Sequence, residues 1–589
     1  MTILELSTII FFMVVKFFLA LVIFFFPFLS WPEVTLGPII VEKKASFRDF
    51  FLKEENLCEF PSTSLESILD YFSSLDLRER GSFGIQTDLS IRGSIFEDNK
   101  VLIEGVEVND PQTGHFSLEL PFPQEALEDL ELNPNTNEVN FRLKKPQEHF
   151  LHYKFFSGRH SLLGNSFSAG FFYNKVKNSL YLTQAKSKGD GRQDTDFNLY
   201  NICWISSYRD EAQEVNFLYS FLKKDFGADG FYASPFYREE EEHITQNFSY
   251  LSYLVKRDRF NFKLTPYFRR HFDKFILDRH NPSFYTNYHT TYIYGVDFGF
   301  IPKSRVFSLD MGLRTEKIDS TNLGEHKRER LLFSGRLLPQ KIGRFLLEGS
   351  LSLINYSDWD FLEKIYFSLG YFLKEGLSLD FSFSKFYRIP SFTELFYLSP
   401  ANKGNPDLKV QNTKSWELAL NLQKEVYRFK VGAFLKYQDD SIDWVKDNYF
   451  LPWEAKNVGK RETRGWEADL RFLFRERILQ EIGLSYTYLD LENKFSYSYS
   501  KYLFNYLRHK IVFTSQVNLK KIILKPLLVL EKPESLPLRL IANLKVDYSL
   551  TENISIFGEA FNLFNENYEE VKGVSSPGRL WRFGFEYQF

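Results

Sequence analysis

Residues 580–589 read Leu-Trp-Arg-Phe-Gly-Phe-Glu-Tyr-Gln-Phe, and they alternate in character without a break. One face is wholly aromatic and the other is polar or glycine: Trp581, Phe583, Phe585, Tyr587 and Phe589 against Arg582, Gly584, Glu586 and Gln588. A period of two predicts a β-strand between two different environments. Soluble sheets rarely leave such an edge unpaired because unpaired edges aggregate, whereas the last strand of a closed transmembrane barrel pairs with the first. The segment therefore predicts the final strand of a bacterial outer-membrane β-barrel.

The composition of the chain agrees with a barrel. Of the 589 residues, 18% are aromatic and 25% are charged, and the mean hydropathy is −0.29. A helical membrane protein would be more apolar, whereas a barrel distributes its apolar residues in alternation. A net charge of −3 gives no indication of nucleic-acid binding. The two cysteines, Cys58 and Cys203, are too few for a disulfide framework or a four-cysteine zinc site, and whether they pair stays open.

The N-terminus carries the only long apolar run. Phe17 to Leu29 follows Lys16, which predicts a secretory signal peptide over residues 1–31, with Met13 as an alternative start. The competing interpretation is an uncleaved transmembrane anchor, because residues 9–29 are long enough to span a bilayer.

Residues 46–145 are predicted to form a small mixed α/β domain. Thr63 to Glu66 reads as a capping box, and apolar residues then recur at helical spacing through Phe72. Short strand-like pieces follow at 89–92 and 101–108.

Residues 146–589 alternate like strands almost throughout, for example at 377–384 and 544–550. Short turns separate some of these segments and long polar stretches separate others, which is the outer-membrane barrel pattern. The length of the region predicts about 22 antiparallel strands, the size class of barrels with a plugged lumen. A β-solenoid is the structural competitor, but the sequence has no fixed repeat period.

The small N-terminal domain resembles the plug of TonB-dependent outer-membrane receptors. The matching segments are 64–69 (SLESIL), 80–93 (RGSFGIQTDLSIRG), 101–106 (VLIEGV) and 109–115 (NDPQTGH). Segments 388–395, 404–408, 457–467 and 562–579 are similar to barrel segments of the same family. The resemblance implies a monomeric plugged barrel in the outer membrane of a Gram-negative-type bacterium. It also implies that an inner-membrane TonB complex drives uptake of an extracellular ligand.

The resemblance also implies a short segment that the energy-transducing partner grips. The best candidate lies in the predicted periplasmic segment 32–45, at Pro38, Ile39, Ile40, Val41 and Glu42 within Gly37 to Ala45. An extended segment of this kind can add a strand to a partner's sheet. The competing interpretation is a linker with an apolar patch.

The predicted plug departs from the family pattern in one place. After Leu130 to Leu132, the family continues through a turn and two further strand segments. Here residues 133–138 (NPNTNE) lead almost directly into Val139 to Leu143. Relative to the family pattern, the resemblance implies that about fifteen residues are missing. The sequence therefore predicts a shortened plug.

The resemblance assigns roles to individual plug and loop residues. Four charged residues are expected to anchor the plug to the barrel: Arg80, Asp88, Arg92 and Glu104. Candidate ligand contacts lie at two plug apices and in one loop: Phe83, Ile85 and Gln86; Asn109, Gln112, Thr113 and His115; Phe231 and Tyr232. The competing interpretations are ordinary loop packing and, for the two loop aromatics, an interfacial aromatic belt.

Two segments contain potential metal ligands. Asp190, Asp194 and Asp196 could bind calcium in an extracellular loop, but the run lacks the EF-hand spacing and carries basic residues, which favours a solvated loop. The nine-residue spacing of His271, His280 and His289 is not a zinc pattern. No catalytic motif is present in the sequence, so we expect no enzyme activity and no cofactor other than this calcium.

The sequence thus predicts a transporter for a scarce, bulky nutrient. Residues 226–232 and 275–285 are similar to loops of the cobalamin-receptor branch, and a ferric siderophore is the other candidate ligand. The alternative function is a passive pore, or a surface-binding protein with a reduced plug. A third function, an outer-membrane enzyme, needs a catalytic cluster that the sequence does not contain.

Overall fold

The computed structural model describes residues 60–145, 147–232, 238–474, 477–494, 497–571 and 574–589. The predicted signal peptide, Cys58 and the predicted TonB-box residues Pro38, Ile39, Ile40, Val41 and Glu42 lie outside these ranges. Among the described residues, no helix combines the length and the apolar character needed to cross a membrane.

Residues 60–145 form the plug, which contains two small sheets. Strands β1 (Leu75–Glu79) and β2 (Thr87–Ile91) make an antiparallel hairpin. A four-stranded sheet has the order β4-β3-β6-β5. Its strands are β3 (Lys100–Ile103), β4 (Val106–Glu107), β5 (Leu127–Asn133) and β6 (Glu138–Leu143). The remaining described helical elements of the plug are 3-10 turns at Glu66–Tyr71, Phe96–Asp98, Gly114–Phe116 and Gln124–Ala126.

The helix predicted after the capping box differs from the expectation. It is a six-residue 3-10 helix with Leu65 as its N-cap residue, and no side chain caps it. The hydroxyl oxygen of Ser64 instead accepts a hydrogen bond from the Ser67 amide at 3.2 Å. Ile68 and Leu69 are fully buried in the plug core. The helical spacing of these apolar residues was therefore a signal of burial, and the predicted box is not used.

The rest of the chain forms a closed antiparallel barrel of 22 spanning strands, which confirms the predicted fold class. In chain order the strands are β7 (Phe150–Gly158), β8 (Leu162–Tyr173), β9 (Val176–Ser187), β10 (Phe197–Arg209), β11 (Gln213–Gly227), β12 (Glu241–Lys256), β13 (Phe260–Ile276), β14 (Thr286–Pro302), β15 (Phe307–Ser320), β16 (Gly324–Ile342), β17 (Phe345–Tyr356), β18 (Leu362–Lys374), β19 (Leu377–Arg388), β20 (Asn402–Lys403), β21 (Gln411–Gln423), β22 (Tyr427–Lys446), β23 (Trp453–Leu473), β24 (Leu479–Lys494), β25 (Tyr499–Ser500), β26 (Leu507–Leu519), β27 (Ile522–Pro533), β28 (Arg539–Ser549), β29 (Ile554–Phe561), β30 (Glu569–Val571), β31 (Val574–Ser575) and β32 (Leu580–Gln588). Strands β20, β25, β30 and β31 are short and lie in loops. One α-helix, α1 (Phe392–Phe396), lies in the loop between β19 and β21.

The C-terminal strand closes the barrel as predicted. Strand β32 pairs with β7, with Phe585 opposite Phe155. Phe583 is 54% exposed on the outside, whereas its neighbour Arg582 is 7% exposed inside. Lipid takes the place of water around such aromatic side chains in an outer-membrane barrel.

The plug lies in the lumen, because its residues bond to strands all round the barrel. Ser62 accepts from Arg582 on β32, Asp110 from Arg269 on β13, and Asp70 from Lys510 on β26. The long loops, including residues 389–410 and 562–579, lie at one rim, and the short turns lie at the other. In outer-membrane barrels the long loops face the outside of the cell.

Candidate functional site

Arg92 is the plug residue that most clearly anchors the plug to the barrel. Its side chain is 1% exposed and donates to Glu467 on β23 at 2.8 and 2.7 Å and to Glu417 on β21 at 2.9 Å. The guanidinium also lies 3.9 Å from the centre of the Phe434 ring. A bidentate arginine–carboxylate pair is strong and directional, and one that is buried is costly to break.

The other predicted anchors make their ion pairs inside the plug, which corrects their predicted role. Arg80 pairs with Asp88 across the β1–β2 hairpin at 2.8 Å, and Asp88 also contacts His115 at 2.6 Å. Burial raises the pKa of the Asp88 carboxyl, but Arg80 and His115 outweigh it and hold the pKa below its ordinary value. Glu104 accepts from the Leu143 amide at 2.7 Å. These contacts stabilise the plug's own fold, because each partner belongs to the plug.

The first plug apex, which carries Phe83, Ile85 and Gln86, is buried beneath the barrel loops. All three side chains are at most 9% exposed. Lys224 on β11 donates to the carbonyl oxygens of Gly84 and Ile85 at 3.2 and 2.6 Å.

The two predicted loop aromatics pack onto this apex. Phe231 lies so close to Gly81 that an added Cβ would be 3.2 Å from its ring. Tyr232 donates to Glu242, and the Arg80 guanidinium lies 5.8 Å from the centre of the Tyr232 ring. Both aromatics therefore cover the plug, and neither lies in an outer belt.

The second apex is covered by the loop between β19 and β21. The backbone amides of Phe392 and Thr393 at the start of α1 donate to the carbonyl oxygens of Pro111 and Gln112 at 2.9 and 3.0 Å. The hydroxyl of Thr113 donates to Glu97 at 3.1 Å, and that of Ser391 donates to the same carboxyl oxygen at 3.3 Å.

The remaining two residues of the second apex also have partners within the plug. Asn109 bonds to the backbone of Asn99 and Val101, and His115 stacks on Phe96 with ring centres 3.9 Å apart. The predicted ligand residues at both apices are therefore brought together but covered. A ligand from outside reaches them only when the loops move.

The predicted calcium site is not formed, because arginines occupy its carboxylates. Asp190 pairs with Arg192 and accepts from Thr195. Asp194 and Asp196 both accept from Arg279, at 2.9 and 2.6 Å.

Asp194 also belongs to a second group of potential metal ligands. In the described part of the chain, Asp194, Glu239 and His280 offer ligand atoms within 4.8 Å of one another. His271 and His289 do not belong to this group, and His289 bonds to Ser320. Cys203 is fully buried inside the barrel.

Several anchoring residues were not predicted from the sequence. Asp98 forms an ion pair with Arg388 at 3.0 Å and accepts a hydrogen bond from Gln411 at 2.8 Å, and Glu107 accepts from Arg330 at 2.8 Å. Asn135 and Asn137 also bond to the barrel wall. Their partners lie more than two hundred residues away, so no local sequence signal identifies the pairs.

A closed barrel whose lumen is filled by a separate folded domain defines the class of plugged outer-membrane receptors. The sequence matches the family described as TonB dependent receptor-like, beta-barrel, over residues 151–519. Because this match covers more than half of the chain, the protein belongs to the TonB-dependent receptor family and is located in the outer membrane. Members of this family are receptors and transporters that work with the TonB complex.

Solved structures share this fold at low sequence identity. The siderophore receptor PirA of Pseudomonas aeruginosa is 13% identical with a TM-score of 0.70, over 90% of this chain and 96% of that one. A variant of the ferric enterobactin receptor PfeA of Pseudomonas aeruginosa, solved with enterobactin, is 14% identical with a TM-score of 0.72, over 92% and 99%. The copper transporter OprC is 13% identical with a TM-score of 0.74, over 90% and 96%. At these identities, the likeness establishes the fold alone.

Proposed function

We propose that this protein imports a scarce, bulky solute across the outer membrane, driven by the TonB complex. The observation that carries the proposal is the filled lumen. Plug residues bond to strands on every side of the barrel, and several of those bonds are buried ion pairs. A solute that is too large for a porin cannot pass such a plug unless the plug rearranges, and rearrangement against buried pairs needs an energy source.

The covered apices support a receptor that responds to its ligand. Backbone hydrogen bonds tie the loop at α1 to Pro111 and Gln112. A ligand that binds the loops can therefore change how firmly they hold the plug. Binding outside the cell would then alter the contacts of the plug directly. A permanently open pore, the alternative function, is disfavoured by the same contacts.

The cargo class that we propose first is a ferric siderophore, with cobalamin second. The siderophore receptors among the structural relatives favour the former, and the sequence similarity of residues 226–232 and 275–285 to the cobalamin-receptor branch favours the latter. The energy-coupling segment that we propose is Gly37 to Ala45.

Uptake measurements test this function. Cells that carry the protein are given radiolabelled ferric siderophores or radiolabelled cobalamin, with and without residues 37–45. We expect uptake of one of these compounds to be lost on deletion. Ile40→Pro should act like the deletion, because proline removes a donor needed for strand addition, and Ile40→Val is the matched control. Uptake that persists in the deletion, together with steady conductance in lipid bilayers, would identify a passive pore instead.

A further inference from the structure

Three loops at the rim that faces the outside of the cell meet above the first plug apex. Their described residues are 188–196 between β9 and β10, 228–232 and 238–240 between β11 and β12, and 277–285 between β13 and β14. The Asp229 amide donates to the Asp194 carbonyl oxygen at 3.3 Å, which joins the first two loops. The Arg279 amide donates to the Glu239 carbonyl oxygen at 2.8 Å, which joins the second and third. The second loop also carries Phe231, which packs onto the plug, so a group that binds all three loops acts on the cover of this apex.

Each loop supplies one side chain to a group of three potential metal ligands. A carboxylate oxygen of Asp194, a carboxylate oxygen of Glu239 and a ring nitrogen of His280 all lie within 4.8 Å of one another. Zinc bonds to such atoms are about 2.0–2.2 Å long, so two ligands of one tetrahedral ion lie roughly 3.5 Å apart. Glu239 and His280 are exposed, and shifts of about 1 Å in their side chains would reach that spacing.

Asp194 is held in position and still has a free oxygen atom. Its Oδ1 accepts from Arg279 at 2.9 Å. Its Oδ2 is buried and has no hydrogen-bond partner among the described residues. A buried carboxylate oxygen without a donor is costly, and a bound cation would remove that cost. The carboxylates that bind metals in proteins are themselves oriented by hydrogen bonds, which is the role that Arg279 has here.

The charges around these ligands also favour a cation. Arg279 pairs with three carboxylates, so its single positive charge is shared among Asp194, Asp196 and Glu241. Glu239 adds a fourth carboxylate beside Asp194. The other two described arginines of these loops pair with different carboxylates: Arg192 with Asp190, and Arg238 with Asp229. Negative charge therefore remains in excess where the three ligand atoms meet, and it attracts a cation.

The kinds of ligand atom select the kind of metal. Calcium takes about six to eight oxygen ligands, and magnesium also prefers oxygen. An imidazole nitrogen together with carboxylate oxygens suits zinc and related divalent transition metals. Three protein ligands leave a fourth position of a tetrahedral ion open to water. The group therefore fits zinc better than calcium.

We propose that Asp194, Glu239 and His280 bind a divalent transition-metal ion such as zinc, and that this ion clamps the three loops over the first plug apex. The site differs from the calcium site that the sequence predicts, because it takes one ligand from each loop and includes a histidine. Asp190 and Asp196 stay paired with arginines and are not ligands. Metal binding does not require transport, so the inference goes beyond the proposed function and is tested separately from it.

Zinc binding to the purified, untagged full chain tests the site. Every protein carries Cys58→Ser, so that this thiol does not compete, and Zn²⁺ is titrated against a chromophoric chelator. His280→Ala and Glu239→Gln each remove one ligand. His149→Ala is the matched control, because His149 is also exposed and lies outside the group. We expect one zinc site, a roughly tenfold or greater loss of affinity in each ligand variant, and no change in the control.

Hydrogen exchange of the same proteins tests the clamp. The amides of Asp229 and Arg279 join the loops, so their exchange reports whether the loops separate. At a Zn²⁺ concentration of about ten times the dissociation constant, exchange of these amides should slow about tenfold relative to the protein in EDTA. The same addition should leave exchange in His280→Ala unchanged.

Three results would contradict the proposal. Calcium that binds as tightly as zinc, with no loss in His280→Ala, would overturn the site, because carboxylates alone would then hold the ion. Zinc binding that is absent, or that is the same in both ligand variants as in the control, would overturn it as well. Zinc binding without slower exchange would overturn the clamp. None of these results depends on uptake, so a failure of the proposed function would be recognised separately in the uptake measurements.

Discussion

Replacing Arg92 by methionine should loosen the plug. Methionine keeps much of the volume but removes a guanidinium that bonds to Glu417 and Glu467. Removing one partner of a buried pair typically costs about 3–5 kcal/mol, because the remaining charge is left unpaired. Glu417 keeps a second partner, Lys430, at 2.9 Å, so the lower end of the range applies. About 3 kcal/mol corresponds to roughly a hundredfold rise in the population of the released plug.

Two measurements report the population of molecules in which the plug is released. Purified protein in planar lipid bilayers should show large conductance steps about a hundred times more often than the wild type, on the same scale of 1.4 kcal/mol per tenfold. Cells should also become sensitive to antibiotics that are normally too large for the outer membrane. Arg142→Met is the matched control, because Arg142 is more exposed and pairs with Glu131 inside the plug. Arg142→Met should destabilise the docked plug by less than about 1 kcal/mol, because an exposed ion pair contributes little.

A double variant tests whether the unpaired Glu467 causes the loss of stability. If the cost comes from an unpaired Glu467, then Glu467→Gln added to Arg92→Met should recover part of the lost docking, since the double variant leaves no unpaired charge there. The anchoring role would be refuted if Arg92→Met gave no more conductance than Arg142→Met. It would also be refuted if the double variant destabilised the docked plug by more than the two single substitutions added together.

The remaining predictions concern other contacts of the plug. Asn135→Ala should raise bilayer conductance about fivefold or more, at about 1–3 kcal/mol for the serine hydroxyls of the barrel left unsatisfied, whereas Asn140→Ala, which affects plug-internal bonds, should not. Burial raises the pKa of Glu66 from 4.5 to about 7, so its contribution to docking is fully present below pH 4.5 and is lost as the pH rises through 7. The urea concentration that releases the plug should therefore fall between pH 5 and pH 8, and it should fall less in Glu66→Gln. Thr393→Pro removes the amide that donates to Gln112, so a maleimide should label Gln112→Cys faster in that background than in the Thr393→Ala control.

The barrel was predictable because its signal is local and repeated. Each strand shows lipid on one face and a polar lumen on the other, so the alternation at residues 580–589 is visible without any tertiary information. The pairing of Phe585 with Phe155 follows from closure, which an apolar final strand requires.

The plug and its contacts were predictable only in part. Arg80 and Arg92 lie in the same short segment and carry the same charge, yet one bonds within the plug and the other to the barrel. Sequence spacing cannot separate these roles, because the partners of Arg92 are 325 and 375 residues away. The α-helix expected after the predicted capping box is a 3-10 helix in the structure. The burial of Ile68 and Leu69 produces helical spacing in the sequence without requiring an α-helix.

The candidate ligand residues show why a site is harder to predict than a fold. The family resemblance implies that Phe83 and Gln112 lie at plug apices, but the positions of the loops decide whether an apex is open. Those positions depend on long-range contacts such as the bonds from Phe392 and Thr393 to the plug backbone. Loop sequences vary freely because they run over the surface, so no local pattern encodes such contacts.

Residues 133–137, where the sequence predicts a shortening of the plug, form a turn that contacts the barrel. The connection between β5 and β6 is short and lies directly against the barrel, and the wall there carries small hydroxyl side chains: Ser382, Ser384 and Ser415. Serine allows close approach and supplies donors, so a short turn and a serine wall together make a tight anchor. Hydrogen bonds to these serines thus close the lumen at this turn. If a shortened plug left a gap between this turn and the barrel, water would surround the turn. Asn137 is instead fully buried.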